Sequence, residues 1–299
     1  MNYSHNLCVL DNNSKGDTGN GGSNPRYDHN HLYQQHQQQA LYSIIKKYIS
    51  EGYSVIYAAE YNTPIQSIVE NMIQNGIKAN NLIKDCSLII TNPDIIYSID
   101  KCINAKMILQ ALKSFIFDLL RKNNNKSLAK GKKIVIIVTP AGFFERRKYP
   151  LYLDYERLLA DDDNNTVVNG GFNNDILLEG ICCYNTKLIE KLPFSNVIHL
   201  LNAHSYTIHN GGVYREWDHQ KILELVYRGA FKAMGDVSGK IMFKVLEIVF
   251  NTKADSIVLK PDLFESRVRK MVGEKVSDIV FSSVSREIMK QIIFNHDEK

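Results

Sequence analysis

The sequence lacks the features that would place it in a membrane or in an oxidising compartment. It has no run of about eighteen apolar residues, so no transmembrane helix is predicted. Residues 1–6 are polar and do not show the basic-then-apolar pattern of a secretory signal. The five cysteines include no C-x-x-C pair and no zinc-ligand spacing. These absences predict a soluble, intracellular, cytoplasmic protein with no metal site and no membrane partner.

A strong excess of charge of one sign is also missing. The formal net charge is +4 over 299 residues, and basic residues are interleaved with acidic ones. Because a nucleic-acid-binding face usually shows as a basic stripe, nucleic acid is not the predicted partner. The length favours two domains, and the 44% hydrophobic fraction is enough to bury a sizeable core.

The residues of a phosphate-binding loop are absent as well. Such a loop needs glycines, a lysine and a hydroxyl, but Gly-Lys-Ser or Gly-Lys-Thr occurs nowhere, although Gly16–Gly22 is glycine-rich. The strand-like segment Ile134–Val138 leads into Thr139 and Pro140, and the first carboxylate after it is Glu145. An active ATPase needs acids there to hold magnesium and polarise water. Triphosphate hydrolysis is therefore disfavoured, and no cofactor is predicted.

Apolar runs that read as strands alternate with segments of helical periodicity over the first two hundred residues. The run Ile134–Val138 is unbroken, which is typical of a parallel strand that is buried on both faces. This alternation predicts a doubly wound α/β domain. The other predicted strands are Leu7–Leu10, Ser54–Ala59, Ser87–Thr91 and Ile176–Tyr184.

Residues 11–36 depart from globular composition, because they are rich in Asn, Gly, Ser, His and Gln. They are predicted to form a flexible insertion. Three of their histidines, His29, His31 and His36, are compatible with adventitious metal binding, but a mobile polar loop is the preferred interpretation.

The strand signal ends at Trp217, and amphipathic helical spacing continues from Ile222 towards Ile292. The predicted domains are therefore residues 1–212, α/β, and residues 213–299, all-α. The apolar face of these C-terminal helices suits either a homodimer interface or the core of that domain, and both alternatives stay open.

The order of the α/β segments resembles that of the methanogen/methylotroph, dichloromethane-regulator sensory domain, abbreviated MEDS. The resemblance covers roughly residues 4–209 and implies a three-layer fold similar to RecA- and KaiC-type ATPases that have lost the phosphate loop. It also implies a sensor of small molecules. Two departures are the long 11–36 insertion and Pro140-Ala141-Gly142, where the family often has Gly-Glu-Met-like residues. The matching segments are Ser4–Leu10, Glu51–Ala58, Thr63-Pro64, Tyr155–Leu159, Gly180–Asn185 and Leu200–His204.

Residues 218–294 resemble the Nitrosopumilus output domain, a small helical domain that follows sensory modules in archaea. The segment Lys260–Phe264 and the Val272-Gly273 step carry this match. Together the two resemblances imply an archaeal signalling protein that is not an enzyme and that relays a signal to another protein.

The predicted ligand site lies at the carboxyl ends of the strands, where open α/β sheets bind ligands. Polar residues there would orient a small molecule, and tyrosines would line the pocket around it. For each candidate residue, a position in the core or on the surface without any role in ligand binding is an equal alternative. The candidates are His5, Tyr57, Glu60, Tyr155, Glu156, Tyr184 and His204.

Two other functions remain open at the level of sequence. One is a vestigial or weak nucleotide-binding, ATPase-like enzyme, which phosphate release from ATP would reveal. The other is a DNA-binding transcriptional regulator that uses the helical domain, which salt-dependent duplex binding would reveal.

Overall fold

The computed structural model describes residues 3–10, 29–59, 63–122, 133–160, 177–204, 206–209 and 213–294. These residues form one mostly parallel sheet with helices on both faces, followed by a set of helices at the C-terminal end. The predicted α/β class with an all-α C-terminal region is thereby confirmed.

Seven strands form the sheet in the order β3-β2-β4-β5-β1-β6-β7, and only β7 runs antiparallel to its neighbour. The order is consistent with a RecA-like three-layer fold. Ile134–Val138 is buried along its whole length, as its unbroken apolar character predicts. The strands are β1 (Tyr3–Leu10), β2 (Ser54–Ala58), β3 (Leu88–Thr91), β4 (Lys133–Val138), β5 (Leu177–Asn185), β6 (Tyr206–His209) and β7 (Val213–Glu216).

Nine helices among the described residues of the α/β part cover the two faces of the sheet. One face is covered by α1 (His29–Ser50), α2 (Ile65–Gln74) and α3 (Ala79–Lys84). The other face carries α4 (Pro93–Tyr97), α5 (Ala105–Lys122), α6 (Ala141–Glu145), α7 (Tyr149–Ala160), α8 (Thr186–Glu190) and α9 (Phe194–Asn202). Because both faces are packed, the sheet residues between them are apolar.

Helix α1 begins at His29, inside the predicted 11–36 insertion. Residues 29–36 are therefore helical, which corrects the predicted end of that insertion, and residues 11–28 lie outside the described residues. The stretch from Gln34 to Gln39 lacks an apolar stripe, but glutamine has a helix propensity close to that of leucine. A glutamine-rich segment can therefore begin a helix, and composition alone placed the start of α1 too late in the chain.

Five helices form the C-terminal part and pack on the face that carries α9. Helix α9 contacts both α13 and α14, and α10 packs along α14. Phe194 of α9 stacks on Phe281 of α14 with ring centroids 4.8 Å apart. The five helices are α10 (His219–Met234), α11 (Asp236–Phe250), α12 (Ala254–Leu259), α13 (Pro261–Val272) and α14 (Glu274–Phe294).

A single hydrophobic core runs from the sheet into the C-terminal helices. It includes Cys182 and Tyr184 of β5 as well as Leu225, Phe264 and Ile288 of the C-terminal part. The predicted division after residue 212 falls at residues 210–212, which lie outside the described residues, and the next segment is strand β7 of the sheet. Helical structure resumes at His219.

Candidate functional site

A cluster of polar side chains is buried between β5, α7 and the end of α9. Alternation along β5 directs Cys182 and Tyr184 towards α7, while Cys183 packs on the opposite face. Tyr152 and Glu156 are four residues apart on α7, so they lie on the same side of that helix. Secondary structure alone therefore brings these side chains together.

Glu156 and His204 form the centre of this cluster. Their side chains are 1% and 0% exposed, and Oε2 of Glu156 lies 3.3 Å from Nε2 of His204. The other ring nitrogen, Nδ1, lies 2.6 Å from the carbonyl oxygen of Leu200 in the last turn of α9. Because a carbonyl oxygen only accepts hydrogen bonds, Nδ1 carries a proton and Nε2 faces the carboxyl group.

Cys182 completes the cluster from the sheet side. Its Sγ, one carboxyl oxygen of Glu156 and one ring nitrogen of His204 all lie within 4.8 Å of one another. The Tyr152 hydroxyl donates a hydrogen bond to this sulfur at 3.1 Å. Burial, reinforced by the Glu156 carboxyl group, raises the pKa of the Cys182 thiol well above its ordinary value. Since the thiolate is the nucleophile, Cys182 is poorly suited to covalent catalysis.

Four tyrosines wall the cluster: Tyr97, Tyr152, Tyr155 and Tyr184. The Tyr155 ring contacts the rings of both Tyr97 and Tyr152, with centroids 5.6 Å and 5.7 Å apart. Burial first, and then the nearby Glu156 and Cys182, raise the pKa of Tyr97, Tyr152 and Tyr184. These phenols therefore remain neutral.

The space inside the cluster is small. A cavity of about 10 Å³ borders Cys182, Tyr155 and Tyr97. That volume is at the lower limit of what one water molecule needs. Glu156 and His204 are not among the residues that line this cavity, and both are buried, so an organic ligand cannot reach them without rearrangement of the core.

The structure brings together Tyr155, Glu156, Tyr184 and His204 from the predicted ligand site. Tyr57 is buried on the opposite face of the sheet, in the core beneath α1 and α2, and therefore does not reach them. His5 belongs to β1 and pairs in register with Gly180, but its side chain lies outside the described residues. Glu60 also lies outside them.

Sequence reasoning missed Cys182, Tyr152 and Tyr97. A signal for the first two was present, because Cys182 is two residues before Tyr184 on a strand and Tyr152 is one helical turn before Glu156. Tyr97 gave no such signal, since it reaches the cluster from α4 only through the tertiary fold.

A second, larger space lies at the junction of the α/β part and the C-terminal helices. We call it the junction groove; its volume is about 450 Å³. The connection between α8 and α9 supplies Leu192 and Pro193, and Phe194 of α9 adds an aromatic wall. The facing walls come from the C-terminal helices: Arg269 of α13 and Phe281, Ser285, Arg286 and Met289 of α14.

The two arginines that line the groove differ in their ion pairs. Arg269 is paired with Glu265, Glu274 and Asp278. Burial acts to lower the pKa of Arg269, but the three acids together outweigh it and raise this pKa. Arg286 is exposed, and no ion pair of its guanidinium group is seen with the described residues. Glu190 and Asp278 also line the groove. It therefore offers an aromatic and thioether lining with charges of both signs at its edge, and Arg286 supplies the positive charge that has no ion pair among the described residues.

A nucleotide would bind at the carboxyl ends of β1 and β4, where the sequence lacks the phosphate loop and the acids of an active ATPase. The connection after β1 lies outside the described residues. After β4 the chain passes Thr139 and Pro140 into α6, and Glu145 is exposed at the far end of that helix. Glu145 is thus separated from the end of the strand by a helical turn.

Comparisons with family models, with curated proteins and with solved structures gave no match. Among the described residues, no helix has both the length and the apolarity needed to cross a bilayer.

Proposed function

We propose that this chain is a non-catalytic sensory protein that binds a small molecule in the junction groove and relays the binding through its C-terminal helices. A single observation carries the proposal: a groove of about 450 Å³ whose walls belong to both parts of the chain. That volume is within the usual range for small-molecule sites, which often lie between domains. A ligand that contacts both walls stabilises one relative arrangement of them.

The lining defines the class of ligand. Phe194, Phe281 and Met289 present rings and a thioether to an apolar body. Arg286 presents a guanidinium group, which binds carboxylate or phosphate with two parallel hydrogen bonds. Glu190 and Asp278 line the same groove, which disfavours a ligand with several negative charges. The proposed ligand is therefore a small organic molecule with an apolar body and one carboxylate or phosphate group for Arg286.

The resemblance to the MEDS domain and to an archaeal helical output domain supports the same proposal from the sequence side, as does the missing Gly-Lys-Ser/Thr signature. On this proposal the chain acts in the cytoplasm, needs no cofactor for signalling, and passes its signal to a protein partner or a second copy through α10–α14.

A thermal-shift screen of the full chain against small aliphatic and aromatic carboxylates and phosphates tests the proposal. We expect hits that raise the unfolding temperature of the wild type and that lose this effect in Arg286→Ala and in Ser285→Leu, which fills the groove. Lys240→Ala, an exposed position on α11, is the matched control and should keep the full effect.

Hits that are unaffected by both groove variants would contradict the proposal. Phosphate release from ATP and magnesium that is lost in Glu145→Gln or Glu156→Gln would favour the ATPase-like alternative. Salt-dependent binding to duplex DNA would favour the regulator.

A further inference from the structure

We propose that Glu156, Cys182 and His204 bind one divalent transition-metal cation of the zinc class. The site is separate from the junction groove, and the inference does not depend on the proposed function.

The ligand set has the right chemistry and the right spacing. Carboxylate oxygen, thiolate sulfur and imidazole nitrogen are the three donors that zinc uses in proteins. Zinc–nitrogen and zinc–oxygen bonds of about 2.0–2.2 Å at a tetrahedral angle place the two donor atoms roughly 3.3–3.5 Å apart. The observed separation of Oε2 of Glu156 and Nε2 of His204 is 3.3 Å. Sγ of Cys182 completes a triangle with no side above 4.8 Å.

The histidine is already oriented as a ligand. Metal-bound histidines usually donate their second ring N–H to a carbonyl or carboxylate, which fixes the ring and the tautomer. Here Nδ1 donates to the Leu200 carbonyl oxygen at 2.6 Å, so Nε2 is the ring nitrogen that faces Glu156. A neutral imidazole nitrogen and a carboxylate oxygen are both acceptors, so a cation between them binds both.

The surroundings provide an outer shell. The Tyr152 hydroxyl donates to Sγ of Cys182 at 3.1 Å, which is the kind of hydrogen bond that tunes a thiolate ligand. The carboxylate and the thiolate together carry two negative charges, which a divalent cation neutralises in this buried place.

The competing interpretation is a buried glutamic acid–histidine pair that shares a proton and binds no metal. Both interpretations use the same residues, but only the metal site requires the sulfur of Cys182 as a ligand.

Cobalt(II) titration of the full-length, chelator-treated protein distinguishes them. We expect one equivalent to bind with sulfur-to-cobalt charge-transfer absorption and the strong visible bands of a tetrahedral ion, and zinc to displace it. Histidines of the 29–36 segment cannot produce the charge-transfer band, because no cysteine lies among them. A wild type that binds cobalt without this band, or that binds none, overturns the proposal.

Variants assign the band to the residues. Cys182→Ser and His204→Gln should lower the affinity at least about 100-fold, and Tyr152→Phe roughly 10-fold. Cys183→Ser, whose side chain packs on the other face of the sheet, and His199→Gln, which lies outside the cluster, are matched controls and should keep wild-type affinity. If either control abolishes the band, or if Cys182→Ser retains it, the assignment is wrong. The wild-type titration remains decisive even if a core variant fails to fold.

Discussion

Glu156 is the residue whose burial is hardest to explain by packing alone. A carboxyl group that is 1% exposed loses its hydration, and that loss has to be offset by partners inside the protein. His204 is the partner with a nitrogen at 3.3 Å, and it is itself held by the Leu200 carbonyl. Removing one member of such a pair leaves the other buried without its partner. This lowers the free energy of unfolding more than removing one member of an exposed pair does.

We therefore expect His204→Leu to lower the free energy of unfolding by about 3–5 kcal/mol, because it leaves Glu156 without its imidazole partner. Urea denaturation in the presence of a chelator measures this cost without a contribution from metal. His199→Leu is the control. Its ring is 14% exposed and pairs with Asp262, whose side chain is 63% exposed. Water still solvates this carboxylate after the ring is replaced, so we expect a loss below about 1 kcal/mol. Equal losses in the two variants would contradict the account of the cluster.

At the scale of elements, the helix pair α10 and α14 depends on one glycine. A Cβ on Gly229 would lie 2.4 Å from Cα and 2.7 Å from the backbone nitrogen of Val284. Backbone atoms of a helix cannot move aside as the end of a flexible side chain can. The close approach of α10 to α14 therefore requires a glycine here.

Gly229→Ala should separate the two helices and lower the free energy of unfolding by at least about 1–3 kcal/mol, although alanine has the higher helix propensity. Chemical denaturation measures the change. Arg228→Ala, one position earlier and exposed, should change stability by less than about 0.5 kcal/mol. A stabilising Gly229→Ala would show that the helices do not pack as closely as described.

The elements also show where sequence reasoning succeeds and where it stops. Strand β4 was predictable because an apolar run buried on both faces leaves an unbroken signal. Helices α4 and α8 span only five residues each, which is too short for a periodic pattern. Their readable signals are the asparagine caps: the side chains of Asn92 and Asn185 accept hydrogen bonds from Ile95 and Leu188.

The same limit applies to the buried cluster. Tyr155, Glu156, Tyr184 and His204 were predicted as site residues from a resemblance, and the structure places them together. Cys182 was not predicted as a site residue, because its distance to His204 depends on where the end of α9 lies relative to β5. Local sequence patterns do not determine the position of α9 relative to the sheet, because that position depends on tertiary packing.

At the scale of the whole molecule, the sheet and the C-terminal helices share one core. Leu192 and Phe194 from the α/β part and Phe264 and Phe281 from the C-terminal part belong to the same buried cluster. Phe194 contacts both of the other rings, at 5.7 Å and 4.8 Å between centroids. A shared core couples the stabilities of the two parts.

The chain should accordingly unfold in one cooperative transition. The single tryptophan, Trp217, is buried between β7 and α10 and donates a hydrogen bond to the Thr207 hydroxyl, so its fluorescence reports the junction. We expect the urea midpoints from Trp217 fluorescence and from far-ultraviolet circular dichroism to coincide. Two separated midpoints would show that the two parts unfold independently.

The most direct test of the sensory proposal is the methyl resonance of Met289 in full-length protein that carries carbon-13 in its methionine methyl groups. Met289 lies in the wall of the junction groove. We predict that the carboxylates or phosphates that stabilise the wild type shift this resonance in a saturable way, and that Arg286→Ala abolishes the shift while Lys240→Ala preserves it. Stabilising anions that leave the Met289 methyl signal unmoved would contradict binding in the groove and, with it, the relay between the two parts of the chain.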